Sequence, residues 1–121
     1  MINFCIAKDF TDAPGGRFKR NGKYSAEELY EDILKDKLSL AFYNKEEILL
    51  DFDGSYGYAG SFIDELFFRI KRDSKKEDIL NYLKIKSDED LDLILEIQKN
   101  FLECYGEEIK ILLDTIVWRS K

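Results

Sequence analysis

The chain reads as a small α/β layer protein, a mixed sheet of about four strands with three to four helices packed on it. Three observations predict it. Ile48-Leu49-Leu50-Asp51-Phe52 is a continuous apolar run broken by one acid, and a glycine-containing loop and a helix-starting serine follow it. Ile2, Phe4 and Ile6 alternate with Asn3, Cys5 and Ala7, the period of a strand. Strand-like and helix-like segments then take turns along the chain, which calls for helices layered on a sheet.

The first strand is expected to run to Phe10. Thr11-Asp12-Ala13-Pro14-Gly15-Gly16 is turn chemistry, because proline fixes φ and glycine permits positive φ. Arg17 to Tyr24 is polar and basic, with a second turn signal at Asn21-Gly22, and could form a short strand or hairpin arm. Ser25-Ala26-Glu27-Glu28 is a capping box. Leu29, Ile33 and Leu34 form the inward stripe of the helix it opens, which reaches at least Asp36. Leu38 to Tyr43 either extends that helix or forms a separate apolar piece.

Ile48 to Phe52 lacks alternation, as suits a central strand covered on both faces. Ser61 is expected to cap the second helix, with Asp64 as its N3 acid. Phe62, Ile63, Leu66, Phe67 and Ile70 form that helix's buried face. Asp73 to Asp78 reads as a loop or one helical turn, and a short strand lies within Ile79 to Ile85. Ser87-Asp88-Glu89-Asp90 opens a third helix, and Gly106 stops it. Residues 107–118 form either a fourth helix on the sheet or a final strand.

Composition narrows the function classes. The 121 residues suit one domain over 1–121. A net charge of −6 argues against nucleic acid or anionic lipid as the main partner. Cys5 and Cys104 sit in apolar contexts without CxxC spacing, as reduced core residues of a cytoplasmic protein do. With no histidine, Ser-His-Asp and Cys-His catalysis are excluded, and no metal site or cofactor is expected. No basic stretch leads into a long apolar core at the N-terminus, so no signal peptide is expected. The apolar runs fall far short of the roughly 20 residues of a membrane span.

The loop after residue 52 is the expected site, because ligands and partners of open α/β sheets gather at the carboxyl ends of strands. Asp53, Gly54, Tyr56, Tyr58, Ser61 and Phe62 would form a docking surface there. Tyr56, Tyr58 and Phe62 are aromatic anchors of the kind interfaces favour, although Phe62 also suits the core. Arg17 belongs to one basic run, with Lys19, Arg20 and Lys23. Arg69, Lys71, Arg72, Lys75 and Lys76 form another. Such runs either flank an acidic partner or are solvated faces.

Asp9-Phe10 with Pro14-Gly15-Gly16-Arg17, Asn21-Gly22, Ser25-Ala26-Glu27-Glu28, Leu50-Asp51-Phe52-Asp53-Gly54 and Ser61-Phe62-Ile63-Asp64-Glu65 resemble, in this order, the bacterial STAS-like family of unknown function. The resemblance spans roughly residues 1 to 100. It implies a STAS-like fold and signalling by protein contact, with a histidine-kinase-type ATPase domain as partner. The family is distantly similar to anti-sigma-factor antagonists, whose helix-starting serine is phosphorylated by such a kinase. Leu50-Asp51-Phe52-Asp53-Gly54 matches the first half of their motif, and Ser61 falls on the phosphorylated serine. Ala59 and Phe62 stand where that motif has aspartate and glycine. A phosphate on Ser61 would meet the free N–H groups of a helix start.

Asp51-Phe52-Asp53-Gly54-Ser55 also resembles the first motif of haloacid-dehalogenase-type phosphatases. That alternative makes Asp51 a nucleophile, Asp53 a general acid and base, and both of them magnesium ligands. It also requires a later lysine and an acidic pair at other strand ends. The plainer role of Asp51 and Asp53 is to accept loop N–H bonds at the strand end.

Overall fold

The computed structural model describes residues 1–105, and the side chains of 1–101. Residues 107–118, Trp118, Gly106 and the Cys104 side chain lie outside the described residues. Three parallel strands form the sheet: β1 (Ile2–Cys5), β2 (Ile48–Asp51) and β3 (Leu83–Lys86), in the order β1-β2-β3. Ile2 stands opposite Ile48, which stands opposite Leu83. The apolar run thus lies at the centre, and the α/β architecture is as expected. Among the described residues the sheet has three strands and is parallel throughout.

β1 is shorter than its pattern predicts. The Asp9 carboxylate accepts the Cys5 N–H at 2.8 Å, and the backbone turns into the short helix α1 (Ile6–Asp9). A local side-chain bond has overridden the alternation. Residues 17–24 contain a 3₁₀ turn (Lys19–Asn21) and no strand.

The capping box forms at α2 (Ala26–Leu29). Ser25 Oγ accepts the Glu28 N–H at 3.0 Å, and Glu28 reaches back to the Tyr24 N–H at 2.9 Å. A π-helical stretch, Tyr30–Leu34, joins α2 to α3 (Lys35–Tyr43), so residues 38–43 extend the helix. α4 (Gly60–Asp73) packs against both α2 and α6 (Leu91–Tyr105). α5 (Lys76–Tyr82) leads into β3.

Phe4, Ile48, Leu50, Leu83 and Ile85 turn one sheet face into the core, together with Leu29, Leu34, Phe62, Phe67, Ile70 and Phe101. Leu49 points to the opposite face, where its register neighbours are Asn3, exposed, and Lys84, half-buried. It is itself buried, but outside that cluster. No helix among the described residues is long and apolar enough to cross a membrane.

Candidate functional site

All three strands point the same way, so their carboxyl ends meet on one side of the sheet. Asp51 ends the central strand and accepts the Asp53 N–H on Oδ1 at 2.9 Å. Asp53 is the hub. Lys86, at the end of β3, donates to its Oδ2 at 2.6 Å, and the Asp88 and Glu89 N–H groups donate at 3.1 Å each. The same ammonium lies 3.8 Å from Asp51 and 3.4 Å from Asp88. Glu89 in turn accepts the Gly54 N–H at 3.0 Å. The loops after β2 and β3 are thereby tied together.

Burial of Asp53 favours its neutral form. The Lys86 ammonium and the Glu89 and Asp88 N–H groups outweigh that and hold the carboxyl below its ordinary value of 3.8. Lys86 moves the other way: its bond to Asp53 raises it above the ordinary lysine value, against the effect of burial. A carboxyl depressed on folding stabilises the fold above its unfolded pKa, and this contribution fades as pH falls through the folded value. Asp53→Asn is therefore expected to cost about 2 kcal/mol at pH 7 and much less under strong acid. Urea unfolding at neutral and acid pH checks this; an equal gap at both would contradict it.

Gly54 has φ +90°, a backbone conformation that side chains rarely adopt, and a Cβ there would touch Ala7 at 3.4 Å. Gly57 N–H bonds back to Ser55 Oγ at 3.2 Å. The Tyr56 N–H donates to the Asp12 carbonyl at 2.8 Å, while its side chain stands 88% exposed. Tyr58 lies inward. Its ring meets Phe52 edge-on at 5.2 Å, and its hydroxyl donates to the Phe52 carbonyl at 3.1 Å. Burial pushes that hydroxyl up to about 12, so it is protonated at neutral pH and can donate. Phe52, Asp53, Tyr56, Tyr58, Glu89 and Leu93 line much of a pocket of about 270 Å³ between the two loops.

Asp53, Gly54, Tyr56 and Tyr58 lie together after the central strand, Tyr56 exposed and Tyr58 half-buried and turned inward. Phe62 does not join them at the surface, because it is fully buried. Ser61 is not the cap of its helix. Ala59 holds that position without a side-chain bond, the helix starts at Gly60, and Ser61 lies half-buried in the first turn. Ala59 offers no side-chain acceptor for the first-turn N–H groups and is a poor cap by type, so capping preference pointed to Ser61 instead. Asp64 bonds to Asn100 at 3.2 Å instead of capping. The Glu96 carboxylate approaches the same turn: a Cβ on Gly60 would stand 3.0 Å from its Oε1.

Arg17 is placed elsewhere. Its guanidinium lies 3.3 Å from Glu65 of α4. The other basic residues are largely committed internally, Lys19 to Asp32, Arg69 to Glu65 and Glu31, and Lys71 to the Asn100 carbonyl. Lys86 and Glu89 were not expected at the site, although a lysine closing an alternating strand was a usable signal.

Lys86 stands at a strand end, where the phosphatase alternative requires a lysine, and its ammonium holds the Asp53 carboxyl ionised. Among the described residues no three acidic or thiol groups are arranged to hold a metal ion. Asp51 and Asp53 accept loop N–H groups at the strand end, which is the plainer role for them.

A family model described as a STAS-like domain of unknown function covers residues 25–93, more than half of the chain. The capping box and the segments 50–54 and 61–65 fall inside it; the Asp9 to Gly22 motifs precede it. No curated protein and no solved structure matches the chain.

Proposed function

The chain belongs to the family of STAS-like domains of unknown function, and from that premise we propose that it is a non-catalytic interaction module. It binds a partner protein in the cytoplasm through loop 54–60 and the start of α4. The observation that carries this reading is Tyr56. A tyrosine 88% exposed at the tip of a hydrogen-bonded loop, beside a pocket, is an interface anchor waiting for a surface. The acids beneath it are engaged by Lys86 and by backbone N–H groups, which suits holding a shape better than performing chemistry.

The partner in this reading is a histidine-kinase-type ATPase domain, and phosphorylation of Ser61 is its switch. A phosphate in the first turn of α4 would be favoured by the helix dipole. Asp64, three residues on in the same helix, and Glu96, which approaches the neighbouring Gly60, would oppose that charge and give it leverage on the α4–α6 contact. Affinity capture from the native host with phosphosite mass spectrometry tests both parts. The wild-type chain is expected to recover an ATPase-domain protein and to carry phosphate on Ser61. Tyr56→Ala is expected to weaken capture by about 2 kcal/mol, roughly thirtyfold. Recovery of no such protein, with Ser61 unmodified, would remove the proposal.

A further inference from the structure

Arg17 is remote from the exposed loop, yet the structure connects the two. Residues 11–24 form a strap that joins α1 to α2. Gly15 N–H bonds to the Tyr24 carbonyl at 2.9 Å and closes the strap on itself. A Cβ on Gly15 would stand 2.4 Å from the Lys23 carbonyl, so only glycine fits there without displacing backbone. The Gly16 and Arg17 carbonyls accept the Ala26 and Glu27 N–H groups at 3.0 and 3.1 Å, seating the strap on the start of α2. The Arg17 side chain then reaches Glu65, whose carboxylate is only 7% exposed, and fastens the strap to α4. At the other end, the Asp12 carbonyl holds the Tyr56 N–H.

We propose that Arg17 is a positioning residue for loop 54–60. By locking the strap to α4 it fixes the Asp12 carbonyl, and the Asp12 carbonyl fixes the backbone of Tyr56. The opposite side of the loop is held separately, by Glu89 on Gly54 and by the Asp53–Lys86 pair. Loss of Arg17 therefore loosens one side of the loop and leaves the other in place. Its bearing on partner binding rests on the docking role assigned to this loop; its effect on loop order does not.

Amide hydrogen exchange of the whole, unbound chain tests it residue by residue. Two amides are compared: Tyr56, bonded to Asp12, and Phe52, bonded to the Lys86 carbonyl at 2.9 Å. Arg17→Gln is expected to speed Tyr56 exchange about fivefold, with Phe52 unchanged. Arg17→Lys, which keeps the charge, is expected to restore most of the protection. Gly15→Ala, which forces the strap open, is expected to exceed Arg17→Gln. Unchanged Tyr56 exchange in Arg17→Gln would overturn the proposal, as would equal acceleration of Tyr56 and Phe52. Faster Tyr56 exchange with undiminished partner capture would uphold the positioning role and count against docking through the loop.

Discussion

Arg69→Met is expected to destabilise the protein by about 3 to 5 kcal/mol, the cost of breaking a buried ion pair by removing one partner. The Arg69 side chain is 11% exposed. Its Nε bonds to Glu65 at 2.7 Å, its Nη1 to Glu31 at 2.7 Å, and its Nη2 lies 3.8 Å from Glu27. Burial alone would lower the arginine's pKa, but its bonds to Glu31 and Glu65 raise it. The guanidinium therefore clamps the α2 and π-helical segments to α4. Without it Glu65, almost enclosed, keeps among the described residues only the longer contact from Arg17. The double change Glu65→Leu with Arg69→Met is expected to recover much of the loss, because an apolar pair of similar volume avoids stranding a charge. Urea unfolding of both variants checks this. A loss under about 1 kcal/mol for Arg69→Met would place the cluster with solvent-screened surface pairs.

Phe67→Ala is expected to cost about 3 to 5 kcal/mol, the range for emptying a buried phenylalanine site. Phe67 is fully buried. Its ring stacks on Phe52 at 6.2 Å and meets Phe101 edge-on at 5.4 Å. One side chain thus joins the exit of the central strand, α4 and α6. The cavity should loosen α6 before the sheet, since β2 is held by strands on both sides. Hydrogen exchange is expected to show α6 amides accelerating more than those of Ile48–Asp51. Uniform acceleration would mean that the three elements unfold as one unit.

The parts legible in the sequence have short-range causes. A continuous apolar run marked β2 as the central strand, but only one of its faces turns into the core cluster; on the other, Leu49 is buried beside exposed Asn3 and half-buried Lys84. Ser25 and Glu28 marked a helix start through bonds that span three and four residues. What escaped depended on contacts distant in sequence, or on close local competition. β1 stops at Cys5 because Asp9 folds back onto it, while the alternation beyond still favoured a strand. Lys86 reaches Asp53 across 33 positions, and Arg17 finds Glu65 across 48. Neither pairing is encoded in a local pattern. The π-helical stretch at Tyr30–Leu34 likewise leaves no periodic trace. It occurs where the Tyr30 hydroxyl donates to Asp73 at 2.8 Å.

The docking role of loop 54–60 is tested most directly by placing a photo-crosslinking phenylalanine analogue at position 56 and, separately, at position 43. Tyr43 is equally open, 87% exposed against 88%, and ends the helix that precedes β2. It therefore serves as a control of matched accessibility. Irradiation in the native host is expected to join position 56 to an ATPase-domain protein and to leave position 43 unjoined. An adduct at position 43 alone, or the same adduct from both positions, would contradict the assignment of this loop as the partner-binding surface.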